Sequence, residues 1–211
     1  MVSIGPMFIY IETNFLMSYA MGRDLATDRF FSDPPMIARL VLPSCCIMEA
    51  LSALEGEARR REKLASALEA EVVQIRTNIV SGEARSLAPR LDDAVTDYRK
   101  LNDDFGIRML RVIDLLARGA TLIEPTASIV QSAFSRVVVD DPTDNLILAC
   151  ILAHAAEFPA EASAFLSENS RCFYKNPNAR AALDGAGIKY FAEASKCLEW
   201  RERSPESKME G

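Results

Sequence analysis

The sequence predicts a three-layer α/β/α domain, with helices covering both faces of a central parallel sheet and a helical insertion near residues 57–118. Three observations lead there. Short apolar runs rich in β-formers alternate with longer stretches of helical spacing, the signature of a parallel sheet with crossover helices. The runs are apolar at consecutive positions, as in strands covered on both faces. The chain has 211 residues, 49% hydrophobic and 26% charged, which suits one domain with a sizeable core. Residues 1–200 are expected to form that domain, and 201–211 a flexible polar tail.

"MFIYI" opens the series as a buried strand, too short and too β-prone for a helix. After a short turn, "TNFLMSYAMGRD" places Phe15, Leu16, Tyr19 and Ala20 at helical spacing. A second strand spans 40–42, followed by Pro43 and by Ser44 as N-cap of a long helix. The charged, alanine- and leucine-rich segment 57–118 carries two amphipathic patterns, with the break between them near Gly82 and Pro89. Their apolar faces need partners, which predicts an antiparallel pair packed on the core or on a second subunit. "ATLIEPT" supplies a third strand, and "ASIVQSAFSRVVV" a helix with a connection. "PTDNLILACILAHAAEF" is a strongly apolar helix, a fourth strand covers 164–166, and a short helix leads through Gly185 and Gly187 to a last strand at 188–191.

The net charge of −6 and pI near 5.0 exclude a constitutively basic nucleic-acid coat protein. They leave room for a nuclease, whose metal-holding carboxylates add negative charge. The five cysteines form no CxxC pair, and His154 is the only histidine, so a zinc site of ordinary spacing is hard to build. The odd cysteine count and the opening residues point to free thiols in a reducing cytoplasm. No stretch is long and apolar enough to span a bilayer.

Carboxylates stand at the element junctions. Glu12 follows the first strand, Glu49 lies seven residues beyond the second, and Asp144 opens the apolar helix just after Asp140 and Asp141. Asn169 follows the fourth strand. Ligand sites of parallel sheets lie beyond the carboxyl ends of the strands, where all of these fall. Clustered carboxylates repel one another unless a cation neutralises them, and hard oxygen donors suit Mg²⁺ or Mn²⁺. Singly, each residue has a structural role open to it: Glu12 and Asp144 as acids at helix N-termini, Glu49 as a partly exposed helix residue, Asn169 as a turn residue. Arg59, Arg60, Arg61 and Lys63 read first as a solvated face balanced by Glu55, Glu57 and Glu62, and second as phosphate contacts. Phe173 and Tyr174 read first as packing residues and second as base-stacking ones.

In order and spacing, "YIETNFLMSYAMGRD", "LVLPSCCIMEALSAL", "DDPTDNLILACILAHA" and "AFLSENSRCF" resemble the PIN-domain family, in a subgroup whose first motif reads "ETNF". The likeness covers residues 8–54 and about 120–192 and leaves out the middle helices. It implies a metal-dependent ribonuclease in which Glu12, Glu49 and Asp144, with Asp141 as an extra ligand, hold Mg²⁺ or Mn²⁺. Thr13, Asn14 and Asn169 would contact the substrate RNA. Many such proteins are toxins of toxin–antitoxin pairs, so an antitoxin partner is among the expectations, beside the homodimer that the apolar faces of 57–118 raise. Two positions depart from the pattern: the first acid is Glu12 rather than aspartate, and Asn169 stands where an acid is common. They leave a catalytically silent PIN-like scaffold, binding RNA or a protein, as the competing reading. A dehalogenase-like or receiver-like domain would need an aspartate nucleophile at Glu12.

Overall fold

The computed structural model describes residues 7–32, 38–159 and 162–203. Five strands form one sheet: β1 (Met7–Ile11), β2 (Ala38–Pro43), β3 (Thr121–Ile123), β4 (Ala162–Leu166) and β5 (Ile188–Phe191). Their order is β3-β2-β1-β4-β5, and every pairing is parallel. The helices are α1 (Thr13–Ala20), α2 (Leu25–Ser32), α3 (Cys45–Arg76), α4 (Gly82–Gly119), α5 (Ala127–Ser135), α6 (Pro142–Glu157), α7 (Pro177–Gly185) and α8 (Ala194–Arg203). Right-handed crossovers put the helices between β1, β2 and β3 on one face. The return through β4 to β5 puts α5, α6 and α7 on the other. This is the expected three-layer arrangement.

Strand alternation divides the core between the faces. Phe8 and Tyr10 turn toward α6, where the Tyr10 hydroxyl and His154 Nδ1 share a hydrogen bond of 3.0 Å. Ile9 and Ile11 therefore turn to the opposite face, where α4 presents Phe105, Met109, Val112 and Leu116, all buried. Arg108 fixes the helices of that face together. Its guanidinium donates to the Tyr19 carbonyl at 2.8 and 3.1 Å, pairs with Asp28 at 2.6 Å and lies over the Tyr19 ring.

α3 and α4 pack antiparallel, as Arg76–Asp92, Arg99–Glu69 and Arg61 over Phe105 show. Only part of the pair stands apart from the sheet. The residues from Phe105 to Leu116 belong to the main core, whereas Ala65, Val72, Ala88 and Val95 are buried outside it, along the seam between the two helices.

Several sequence expectations need correction. Ser44 makes no side-chain cap; its N–H instead donates to the Ile123 carbonyl at 2.9 Å, extending the β2–β3 ladder. The helical break lies at 77–81, where Ser81 Oγ accepts the Ala84 N–H at 3.2 Å, and Pro89 sits inside α4. Packing against α3 carries the helix through a residue that deprives the Arg85 carbonyl of its usual partner. α2 was not expected. Gly22, at φ +62°, ends the α1 turn, and Asp24 caps α2 by accepting the Ala26 and Thr27 N–H groups, each at 3.1 Å. Residues 201–203 extend α8 rather than beginning a tail, and 204–211 lie outside the described residues.

The topology opens a crevice. The chain leaves β1 toward β2 on one side and leaves β4 toward β5 on the other, so the loops after β1 and β4 part at their carboxyl ends. Ile11 pairs with Leu166 as the last register pair. The next residues, Glu12 and Ser167, thus stand side by side at the floor of the crevice.

Asn145 fixes the wall beside it. Its Oδ1 accepts the Val138 and Val139 N–H groups at 2.9 and 3.1 Å, and its Nδ2 donates to the Ala133 carbonyl at 2.7 Å. Replacing it with alanine strands three backbone groups. We expect Asn145→Ala to cost about 2–4 kcal/mol in urea unfolding, and a loss below about 0.5 kcal/mol would refute this role.

Candidate active site

Glu12 is the N-cap of α1, with extended backbone and Oε2 accepting the Asn14 N–H at 2.8 Å. It is only 1% exposed, and its Oε1 has no hydrogen-bond partner among the described residues. Burial pushes its carboxyl up to about 8. The Asn14 N–H and the neighbouring Ser167 hydroxyl oppose that rise, while the charges of Asp144 and Glu49 add to it. A buried carboxylate oxygen without a donor is costly and marks a place where a cation or a proton belongs.

Glu49, in the second turn of α3, receives the Thr13 hydroxyl across the crevice. Its carboxyl is also raised, first by burial, then by the charges of Asp144, Cys45 and Asp141 against the opposing bond from Thr13. Asp144 lies in the first turn of α6, half-buried, and accepts Asn169 Nδ2 at 2.9 Å. Burial raises it foremost and the Asp141 charge adds to this, whereas the Cys172 thiol and Asn169 stabilise its charged form. The structure therefore gathers Glu12, Glu49 and Asp144 within electrostatic reach of one another. Among the described residues, no three His, Cys, Asp or Glu side chains are placed to hold an ion together. The donor chemistry still suits Mg²⁺, which keeps several waters and takes one or two carboxylates from a protein.

The remaining expected residues have varied positions. Asp141 is exposed and caps α6, its Oδ1 accepting the Thr143 and Asp144 N–H groups at 2.9 and 3.1 Å. Thr13 is committed to Glu49. Asn169 is engaged at both ends of its amide, since Oδ1 also accepts the Cys172 N–H at 3.3 Å, so it orients Asp144. Asn14 is exposed at the rim. Arg59, Arg60 and Arg61 pair with Glu55 and Glu57, and Glu62 pairs with Arg99, as expected for a balanced face. Phe173 is fully buried against Phe165, which rules out base stacking. His154 lies ten residues along α6 from Asp144, about 15 Å away, and belongs to the core.

Sequence reasoning missed Ser167, Cys172 and Arg171. Ser167 was findable, because it follows β4 as Glu12 follows the neighbouring strand. The Cys172 contact depends on the loop conformation, which no spacing in the sequence specifies. A cleft of about 470 Å³ runs from Val139, Asp140, Asp141 and Asp144 to Asn169, Arg171, Cys172 and Asn176.

The Glu12 carboxyl gives the metal-free protein a pH dependence. Folded, it keeps its proton up to about pH 8, well above its ordinary 4.5. The folded chain then binds more protons than the unfolded chain across this window, so stability falls as pH rises through it. In EDTA, urea unfolding from pH 5 to 9 should show a decline on the order of a few kcal/mol. Glu12→Gln, which keeps an acceptor for the Asn14 N–H, should flatten most of it. Equal slopes in the two proteins would contradict the assignment.

Neither a protein-family model, nor a curated protein, nor a solved structure matches this chain.

Proposed function

We propose that this chain is a PIN-like, metal-dependent ribonuclease that hydrolyses phosphodiester bonds of RNA, with Mg²⁺ or Mn²⁺ held by Glu12, Glu49 and Asp144. The observation that carries this reading is the unpartnered Oε1 of buried Glu12, at the sheet's switch point and beside two further carboxyls. The bound ion would supply charge to polarise a phosphoryl oxygen and to acidify a water. Glu12 offers its free oxygen from a rigid strand end. Thr13 holds Glu49, Asn169 holds Asp144, and Asp141 adds negative charge at the mouth. Asn14 is left at the rim to meet the substrate. A carboxylate of this set that retains a proton near neutrality can also accept or return one during attack.

As partners, we infer RNA and an antitoxin-type protein, and we place the chain in the cytoplasm. Among the described residues no helix is long and apolar enough to cross a membrane. Ile107 and Leu110, three residues apart on α4, each lie 58% exposed, which supports a homodimer through that helix. The silent-scaffold reading has support of its own: Glu12 already serves as a helix cap, and among the described residues no three-ligand group is preformed.

Asp144→Asn separates the two, since it removes a charge at nearly constant shape. If the chain is a nuclease, Mn²⁺ affinity in calorimetry and RNA cleavage should fall together, each roughly tenfold or more. Wild-type protein that cuts no RNA with either metal, or a variant that cuts equally well, would leave the scaffold reading in its place.

A further inference from the structure

The cleft beside Asp144 has walls of opposite charge. Asp140, Asp141 and Asp144 line one part of it, and Arg171 is the one basic residue among its lining residues. Arg171 is exposed and forms no ion pair or side-chain hydrogen bond with any described residue. Two of the three lining carboxylates are already engaged: Asp141 caps α6, and Asp144 receives Asn169.

The loop that carries Arg171 is firmly held. The Ser170 N–H donates to the Glu168 carbonyl at 2.8 Å, the Phe173 N–H to the Asn169 carbonyl at 3.2 Å, and the Lys175 N–H to the Ser170 carbonyl at 2.8 Å. The Phe173 ring anchors it in the core, and Tyr174 stacks on Tyr190 with 5.5 Å between centroids. An arginine is thus presented from a fixed backbone at the mouth of an acidic cleft.

A polyanion meets an electrostatic barrier here, because the floor is acidic and the whole chain carries −6. A cation at the mouth lowers that barrier, and a guanidinium matches two phosphate oxygens in bidentate fashion. We propose that Arg171 is the phosphate-binding residue of this cleft, holding a backbone phosphate adjacent to the one that is cut. This rests on the ribonuclease reading and adds a substrate-positioning residue to it. Lys175, on the same loop, does not line the cleft and serves as the charge-matched control.

The test measures binding of fluorescein-labelled oligouridine by anisotropy in EDTA, at several salt concentrations, together with cleavage kinetics and calorimetry in Mn²⁺. Arg171→Ala should weaken RNA affinity about tenfold and reduce the slope of log affinity against log salt by about 0.7. KM should rise more than kcat falls, Mn²⁺ affinity should hold, and Arg171→Lys should recover part of the loss. Unchanged affinity and slope in Arg171→Ala would overturn the proposal, as would an equal loss in Lys175→Ala. A wild-type protein that binds RNA without cutting it fails the ribonuclease reading, and the phosphate contact of Arg171 then stands or falls on the affinity and salt slope of Arg171→Ala. One that binds no RNA fails both.

Discussion

The burial of one carboxyl group governs the chemistry of this fold. Glu12 stands at the end of the central strand, with strands on both sides and helices above and below, and water scarcely reaches it. Ionising such a group without a partner costs several kcal/mol. The chain meets part of that cost with the Asn14 N–H and the Ser167 hydroxyl, and among the described residues leaves Oε1 without a donor. Either a proton or a cation completes the site. The other two carboxyls raise the demand further, since each disfavours charge on the others.

The surrounding structure holds this arrangement in place. Thr13 ties the β1 end to α3 through Glu49, Asn169 ties the β4 loop to α6 through Asp144, and Asn145 fixes the connection that leads to Asp141. The first two bonds each join two different sheet connections and the third braces one from within, so the crevice keeps its shape without an ion present. The distant α3–α4 pair contributes through its root alone: Phe105 to Leu116 close the core under β1, and Arg108 locks α1 and α2 against them. The outer half of that pair has its own small-residue seam and exposed ion pairs, which add little stability individually.

Much of this was legible in the sequence. The five strands, their parallel arrangement and the acids at their ends follow from consecutive apolar runs that stop at a polar residue, as "MFIYI" stops at Glu12. What escaped was decided by tertiary contact. Ser44 reads as a cap, yet its N–H is claimed by β3. Pro89 reads as a break, yet packing on α3 carries the helix through it. α2 did carry a local sign, Asp24 after Gly22, but its eight residues are too few to repeat a helical pattern over several turns. At the site, residue identity placed the carboxylates but not their partners. That Asn169 would turn to Asp144, and that Arg171 would stand at the cleft without an ion pair among the described residues, depends on a loop whose path is set by Phe173 entering the core.

The ionisation of Glu12 is open to direct observation. Carbon-13 NMR of its side-chain carboxyl, assigned by loss of the signal in Glu12→Gln, can be followed through a pH titration with and without Mg²⁺. Burial of the carboxyl predicts a midpoint raised to about 8 in the metal-free protein, moving down as Mg²⁺ takes the place of the proton. A midpoint at the ordinary glutamate value of 4.5, unmoved by Mg²⁺, would contradict both the buried-carboxylate description and the metal site built on it.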